Sequence, residues 1–268
     1  MNLYKRDYTK ITIEEEQEFS LFKESITTGN LGGLPIERAC LPPKTLRYYE
    51  TLFPNNYLDI FELKELKSEL EYRLEEFKEL LEIREVKESD ILQFIKNPDG
   101  RSYFIVASIL RRYDFGHHGA FLFPEFQLGI TYRADFLIIG SSSNGYEFIF
   151  VELESPKGKI IIGNGDLGDT FRKGLIQIDD WKAWLDANFS SLKEIFSKVK
   201  KEGQSLPDEF VSMSSNRIHY VVIAGKRSDF KQKTYDLRMR CKRERNCSLL
   251  HYDNLIDDAT EALRLRAY

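Results

Sequence analysis

Three acidic residues, Asp135, Glu152 and Glu154, have the types and spacing that point most directly to chemistry. Each lies in or directly after a run of apolar and aromatic residues, which is typical of buried strands. The intervening segment SSSNG, at positions 141–145, consists of strong turn formers. The sequence therefore predicts a β-hairpin that carries three carboxylates.

The register of this hairpin decides whether the carboxylates meet. A turn centred between Ser143 and Asn144 places Asp135 opposite Glu152. Because side chains alternate along a strand, Glu154 then lies on the same face, two residues further along. Opposed carboxylates destabilise a strand pair, and burial raises their pKa. A divalent cation removes that cost, so the spacing predicts a metal site; the alternative is that the acids lie at a solvated sheet edge or pair with basic side chains.

Metal-assisted phosphodiester hydrolysis is the chemistry that best suits such a site. A bound Mg²⁺ or Mn²⁺ ion lowers the pKa of a water molecule and polarises a phosphoryl oxygen. A glycoside hydrolase is a rival interpretation, since it also needs two acids, about 5–9.5 Å apart across a sugar cleft. The hairpin positions of the acids and a nearby basic segment argue against that rival.

The basic segment covers residues 226–245 and is opposed only by Asp229, Asp236 and Glu244. Such a concentration of cations suits phosphate groups, although a solvated helix face is the alternative. Contacts of this kind set affinity and register rather than sequence preference. The side chains expected to contact DNA are Lys231, Lys233, Arg240 and Arg243.

The elements that position these residues follow from hydrophobic periodicity, with Ser89 as the predicted cap of a short helix that ends at residue 97. Helices are predicted over 101–114, 169–188, 228–245 and 254–266, and strands over 119–129, 132–140, 146–154, 217–224 and 247–252. The order α-β-β-β-α-β over 101–224 implies an α/β fold, with a mixed sheet flanked by helices on both faces.

Residues 1–88 are predicted to form an N-terminal extension to a domain over 89–268. Residues 1–58 contain scattered Gly and Pro and are expected to be irregular. Residues 59–87 predict one long amphipathic helix, which either mediates oligomerisation or packs on its own domain. Its apolar stripe consists of Leu63, Leu66, Leu70, Leu74, Phe77 and Leu81.

Composition excludes several classes of protein. Of 268 residues, 42% are hydrophobic and 13% aromatic, which rules out general disorder, and the net charge of -4 rules out a uniformly basic surface. Cys40, Cys241 and Cys247 are too few for a disulfide framework or a zinc cluster, which favours a reducing compartment. No secretory signal is evident, and no apolar run approaches the roughly 20 residues of a membrane span. We expect a soluble, cytoplasmic protein.

Several segments together resemble the nuclease domain of the Shedu family of bacterial antiphage proteins. They are FPEFQLG at 123–129, ADFLI at 134–138, VELESP at 151–156, QIDDW at 177–181, YVVIAGKR at 220–227 and HYDNLI at 251–256. This resemblance implies a nuclease-like core of the PD-(D/E)xK superfamily, preceded by a variable segment that regulates or senses.

The resemblance also implies roles for single residues. Asp135 and Glu152 match the metal-binding acids, whereas Glu154 occupies the position where a lysine is usual. Gln177 matches a helix position that supports the site, and Glu125 is a candidate extra carboxylate. Three other lysines are candidates to replace the usual one: Lys157, Lys159 and Lys173.

The implied activity is that of a Mg²⁺- or Mn²⁺-dependent endonuclease that hydrolyses double-stranded phage or plasmid DNA. We also expect a homo-oligomer, either a dimer or a tetramer, and no membrane partner. Because Glu154 departs from the pattern, an alternative remains open: a catalytically inactive nuclease-fold module that senses or binds nucleic acid, or that scaffolds a partner.

Overall fold

The computed structural model describes residues 2–27, 42–163 and 166–268. Its centre is a five-stranded mixed sheet in the order β1-β2-β3-β4-β5. The first three strands pair antiparallel, and the last two join in parallel. The strands are β1 (Gly119–Leu128), β2 (Tyr132–Ser142), β3 (Gly145–Leu153), β4 (Ile218–Ile223) and β5 (Cys247–Leu250). The predicted α/β class and mixed sheet are confirmed.

Helices cover both faces of this sheet. Those before the first strand are α1 (Ile13–Thr27), α2 (Lys44–Tyr49), α3 (Glu62–Glu65), α4 (Lys67–Glu82), α5 (Glu88–Lys96) and α6 (Phe104–Ala107). Those after the third strand are α7 (Asp169–Asn188), α8 (Leu192–Val199), α9 (Gln232–Arg245) and α10 (Tyr252–Leu265). No helix within these described ranges is both long and apolar enough to span a bilayer.

Alternation along the strands divides the core into two layers. Ile138 and Val151 point to one face and pack with α4, α5, α6 and α10. Leu137 and Phe150 point to the other face and pack with α7 and α8. Because both faces are covered, β2 and β3 are buried on both sides, which explains their nearly continuous apolar sequence.

The hairpin between β2 and β3 has the predicted register. Ser142 pairs with Gly145, so the turn consists of two residues, and Phe136 pairs with Val151. Gly145 has a φ of +98°, a conformation that glycine adopts without strain. The turn residues and the alternation of side chains along the strands thus specify the same strand pairing. This is expected because a slip of one residue in the register would expose a buried face of the sheet.

The predicted helix over 59–87 is wrong in its bounds and in its continuity, because it is two helices that begin at Glu62 and end at Glu82. Leu66, with φ -113° and ψ 18°, leaves the helical conformation between α3 and α4. The break follows the anchoring of α3, whose buried Glu62 accepts hydrogen bonds from Lys44 and from Tyr103 at 2.5 Å. The apolar face of α4 packs within the chain, as the second interpretation predicts.

Other boundaries also need correction. The predicted helix over 101–114 is the short α6 followed by a 3₁₀ turn over Ser108–Arg112, where the Ser108 hydroxyl donates to the Ile105 carbonyl at 2.6 Å. Ser89 is not the cap of α5; Lys87 is, and its N–H donates to Asp90 at 2.8 Å. The extension predicted to be irregular contains α1 and α2, while Cys40 lies outside the described residues.

Candidate active site

The three predicted acids lie at one end of the hairpin. Asp135 lies on β2, Glu152 lies near the end of β3, and Glu154 directly follows that strand. Their exposed fractions are 8%, 4% and 2%, so all three are buried. By alternation they share the sheet face of Leu137 and Phe150, which α7 covers. The sequence thus predicted correctly that these carboxylates gather at one end of the sheet.

Asp135 is held by the backbone of the neighbouring strand. Its Oδ2 accepts a hydrogen bond from the Leu153 N–H at 2.8 Å. Burial raises the pKa of Asp135 to about 7, although the Leu153 hydrogen bond opposes the rise. The negative charges of Glu88 and Glu154 raise this pKa further. The positive charge of Arg133 lowers the pKa but does not offset these effects.

Glu152 is the most strongly perturbed of the three acids. Burial, followed by the charges of Asp135 and Glu154, raises the pKa of Glu152 to about 10. The Gln177 side-chain amide donates a hydrogen bond to Glu152 Oε1, which orients the carboxyl group. Gln177 therefore contacts Glu152 from α7, and its predicted role in supporting a catalytic site stays a prediction. Without a bound cation, the site holds a proton at neutral pH.

Glu154 is fixed through its backbone as well as its side chain. Its N–H donates to the Ile223 carbonyl at 2.8 Å, and its own carbonyl accepts from the Tyr252 hydroxyl at 2.7 Å. Its side-chain Oε2 accepts from Lys173 Nζ at 3.1 Å, whereas Oε1 is buried without a partner. Burial raises the pKa of Glu154, and the Lys173 hydrogen bond opposes that rise.

Helix α7 carries the side chains that contact these acids. Lys173 and Gln177 are four residues apart and so lie on the same face. Gly174 lies between them, and a Cβ there would approach Val222 Cγ1 to 2.5 Å and Glu154 Cγ to 3.3 Å. The absence of a side chain at this position therefore lets α7 lie close to β4 and to Glu154. Helical periodicity carries no signal of such an approach, so the role of Gly174 could not be predicted from the sequence.

Sequence reasoning also missed Glu88, at the start of α5. Its Oε2 lies 3.6 Å from Lys173 Nζ, and its charge raises the pKa of all three buried acids. Glu88 is remote from the hairpin in sequence, and nothing in the local pattern relates the two. Only the tertiary fold brings this fourth carboxylate to the site.

The three candidate lysines have different surroundings. Lys173 contacts the Glu154 carboxylate, as described above. Lys157 donates instead to the Leu81 carbonyl at the end of α4, at 2.8 Å, and Lys159 is exposed. The acid Glu125 also lies apart from the cluster, since it ion-pairs with Lys96 and, at 3.0 Å, with Arg133.

The direction of the Glu125 side chain follows from an unusual backbone conformation. Its neighbours Pro124 and Phe126 pair with Phe136 and Ala134 of β2, and the ladder is interrupted at Glu125 between them. Its φ of +49° is a left-handed conformation that is uncommon for a residue with a side chain. The hydrogen bond from Lys96 lowers the pKa of Glu125, in contrast to the three buried acids.

Residues 232–245 of the basic segment form α9, which is shorter than the predicted helix over 228–245 and joins the core through Cys241. The four predicted DNA-contacting side chains, on α9 and at its N-terminal cap, are exposed. A groove of about 400 Å³ is lined by residues of α7 and α9, among them Arg172, Arg240 and Arg245. At the other end of the segment, Lys226 forms an ion pair with Glu82 of the acidic helix α4, at 2.6 Å.

A divalent cation suits the donor set of this site. Carboxylate oxygens are the ligands that Mg²⁺ and Mn²⁺ prefer. The unpartnered Oε1 of Glu154 and the raised pKa values of Asp135 and Glu152 are what carboxylates show when their cation is missing. Across residues 2–27, 42–163 and 166–268, however, no three His, Cys, Asp or Glu side chains are already arranged to hold an ion. The donor chemistry fits, while the coordination geometry is not preformed.

Comparison with known proteins agrees with the resemblance found in the sequence. A family model described as Shedu protein SduA, C-terminal, matches residues 85–256. No curated protein matches the chain. The matched segment contains the hairpin, α7, β4 and the start of α10, and it begins just before Glu88. Since the match spans more than half of the sequence, the chain belongs to the Shedu family, which indicates a role in antiphage defence.

Proposed function

We propose that this protein is a divalent-metal-dependent DNA endonuclease of the PD-(D/E)xK type that acts in antiphage defence. The observation that carries the proposal is the burial of Asp135, Glu152 and Glu154 together at one end of the hairpin. Burying like charges is unfavourable unless a cation or protons compensate them. A site where buried like charges destabilise the fold is a candidate functional site.

Each side chain has a role that follows from its contacts. Asp135 and Glu152 would hold Mg²⁺ or Mn²⁺, with Glu154 as a third carboxylate. When bound, the ion supplies a more acidic water molecule and stabilises negative charge on the phosphate. The Leu153 N–H keeps Asp135 oriented, and Gln177 keeps Glu152 oriented, so neither carboxylate has to be ordered when substrate arrives.

Double-stranded DNA is the substrate that the surface favours. Exposed cations on α9, with Arg172 across the groove on α7, suit a phosphate backbone. Helix α7 contacts the carboxylates through Lys173 and Gln177 and lines the groove through Arg172 and Ile176. Adjacent residues of α7 thus contact the carboxylates and line the groove, so a duplex bound in the groove would lie next to the helix that carries Lys173 and Gln177.

The proposal is tested by incubating the full chain with supercoiled plasmid and linear duplex in Mg²⁺, Mn²⁺ or EDTA. Wild-type protein should cut with metal and not with EDTA, and Asp135→Asn or Glu152→Gln should abolish cutting because each removes a ligand charge while keeping shape. Glu147→Gln is the matched control, since Glu147 lies on the same strand and pairs with His219 at 2.7 Å instead. Protection against phage in cells should be lost with the same two variants and kept with the control.

A second candidate function is a module that binds nucleic acid without cutting it. It is favoured by the acid at position 154 and by the absence of a preformed ion site among the described residues. Wild-type protein that binds duplex but leaves it intact in both metals would support this candidate and contradict the endonuclease.

A further inference from the structure

Lys173 of α7 is the cation closest to the candidate active site. In the described part of the chain, it is the only Lys or Arg whose side chain contacts Asp135, Glu152 or Glu154. The contact is with Glu154, the residue that stands where the hairpin would otherwise offer a lysine. The helix therefore presents a positive charge next to an acid on the strand.

We propose that Lys173 supplies the ammonium group that contacts the scissile phosphate and stabilises its developing charge. This inference rests on the proposed endonuclease function and goes beyond it, because it assigns the role of the usual hairpin lysine to a helix residue. Glu154 then has a second role besides metal binding, because its carboxylate positions the Lys173 ammonium group. Preorganised cations of this kind are a main source of catalysis in phosphoryl transfer.

The position of Lys173 supports this role. Its side chain is 60% exposed, whereas that of Glu154 is 3% exposed, so the ammonium group lies between the buried acids and solvent. A phosphate that approaches from solvent meets this group before the carboxylates. Glu154 and Glu88, at 3.1 and 3.6 Å from Nζ, hold the ammonium from two sides.

The experiment compares Lys173→Gln, Lys173→Arg and the control Lys193→Gln, an exposed lysine on α8. Plasmid cleavage is measured as kcat and KM, duplex affinity is measured in Ca²⁺, and Mg²⁺ affinity is measured by calorimetry. Lys173→Gln should lower kcat by about 10²–10³-fold, as removal of one preorganised donor does, and change duplex affinity less than threefold. Lys173→Arg should recover at least a tenth of the wild-type kcat, and the control should be unchanged.

Mg²⁺ affinity separates this role from a merely structural one. Removing a positive charge beside the carboxylates should leave Mg²⁺ affinity equal to or tighter than that of wild type. If Lys173 only neutralised Glu154 to keep the site folded, Lys173→Gln would weaken Mg²⁺ binding and lower the unfolding temperature. Either of those losses, or a variant that cuts at the wild-type rate, overturns the inference while wild-type cleavage still supports the endonuclease. No cleavage by wild-type protein overturns both.

Discussion

The Asp135 carboxylate accepts a hydrogen bond from the Leu153 backbone N–H at 2.8 Å, just beyond the last ladder pair of β2 and β3. Where the backbone pairing of β2 and β3 ends, the Asp135 side chain therefore accepts the next hydrogen bond. This bond keeps the acid ordered while its second oxygen stays available to a ligand. An asparagine could accept the same bond, so replacing Asp135 by asparagine isolates its charge from its structural role.

The first prediction concerns stability against pH in the metal-free protein. Burial raises the pKa of Asp135 from 3.8 to about 7, so between those values the folded state holds a proton that the unfolded chain has lost. The contribution of Asp135 to the free energy of unfolding should therefore be largest below about pH 4 and fall by about 4 kcal/mol as pH rises to about 7. Glu152, with a pKa near 10, extends the decline to higher pH.

Asp135→Asn should remove the part of this decline between pH 4 and pH 7. In EDTA we expect the variant to be more stable than wild type at pH 8 and similar to it at pH 4, as measured by urea unfolding. Glu147→Gln on β3 serves as the control, and its profile should follow that of wild type. Parallel profiles for Asp135→Asn and wild type would contradict the pKa assignment.

The second prediction concerns Glu154 as a metal ligand. Its Oε1 is buried without a partner, so it is free to coordinate an ion while Oε2 holds Lys173. Glu154→Gln should weaken Mg²⁺ affinity by about tenfold or more, measured by calorimetry at pH 8. Full cleavage by a Glu154→Lys variant would show instead that the residue only fills the usual lysine position.

The sequence predicted the parts of the site that local rules determine. Turn chemistry and alternation give the observed register of β2 and β3, which ends with Phe136 opposite Val151, and the helix containing Gln177 has the predicted bounds, 169–188. The approach of Glu88 and Lys173 depends instead on how α5 and α7 pack, which no local pattern encodes. The break at Leu66 has the same origin, because the buried contacts of Glu62 override the helical periodicity around it.

The third prediction tests the close approach of α7. In an exposed helix, replacing glycine by alanine stabilises by about 1 kcal/mol. Gly174→Ala should have the opposite sign and destabilise by about 1–3 kcal/mol, because the new methyl would overlap Val222 and press on Glu154. Gly163→Ala, in a turn where a Cβ meets nothing within 4 Å, is the control for adding a methyl group without a clash. Both are measured by thermal unfolding, and equal effects would argue against the tight contact.

The last prediction tests whether α9 contacts DNA. Each phosphate neutralised releases counterions, so duplex affinity should fall with salt concentration on a log–log slope of about -0.9 per contact. Reversing Lys231, Lys233, Arg240 and Arg243 to Glu should flatten that slope and weaken binding to all sequences alike, because phosphate contacts carry no base information. The carboxylates lie on other elements, so Mg²⁺ affinity should persist. Reversal of Lys193 and Lys198, exposed on α8, is the control for net charge alone. If the α9 variant and this control have the same salt slope as wild type, α9 is a solvated face, and DNA must bind elsewhere around the hairpin.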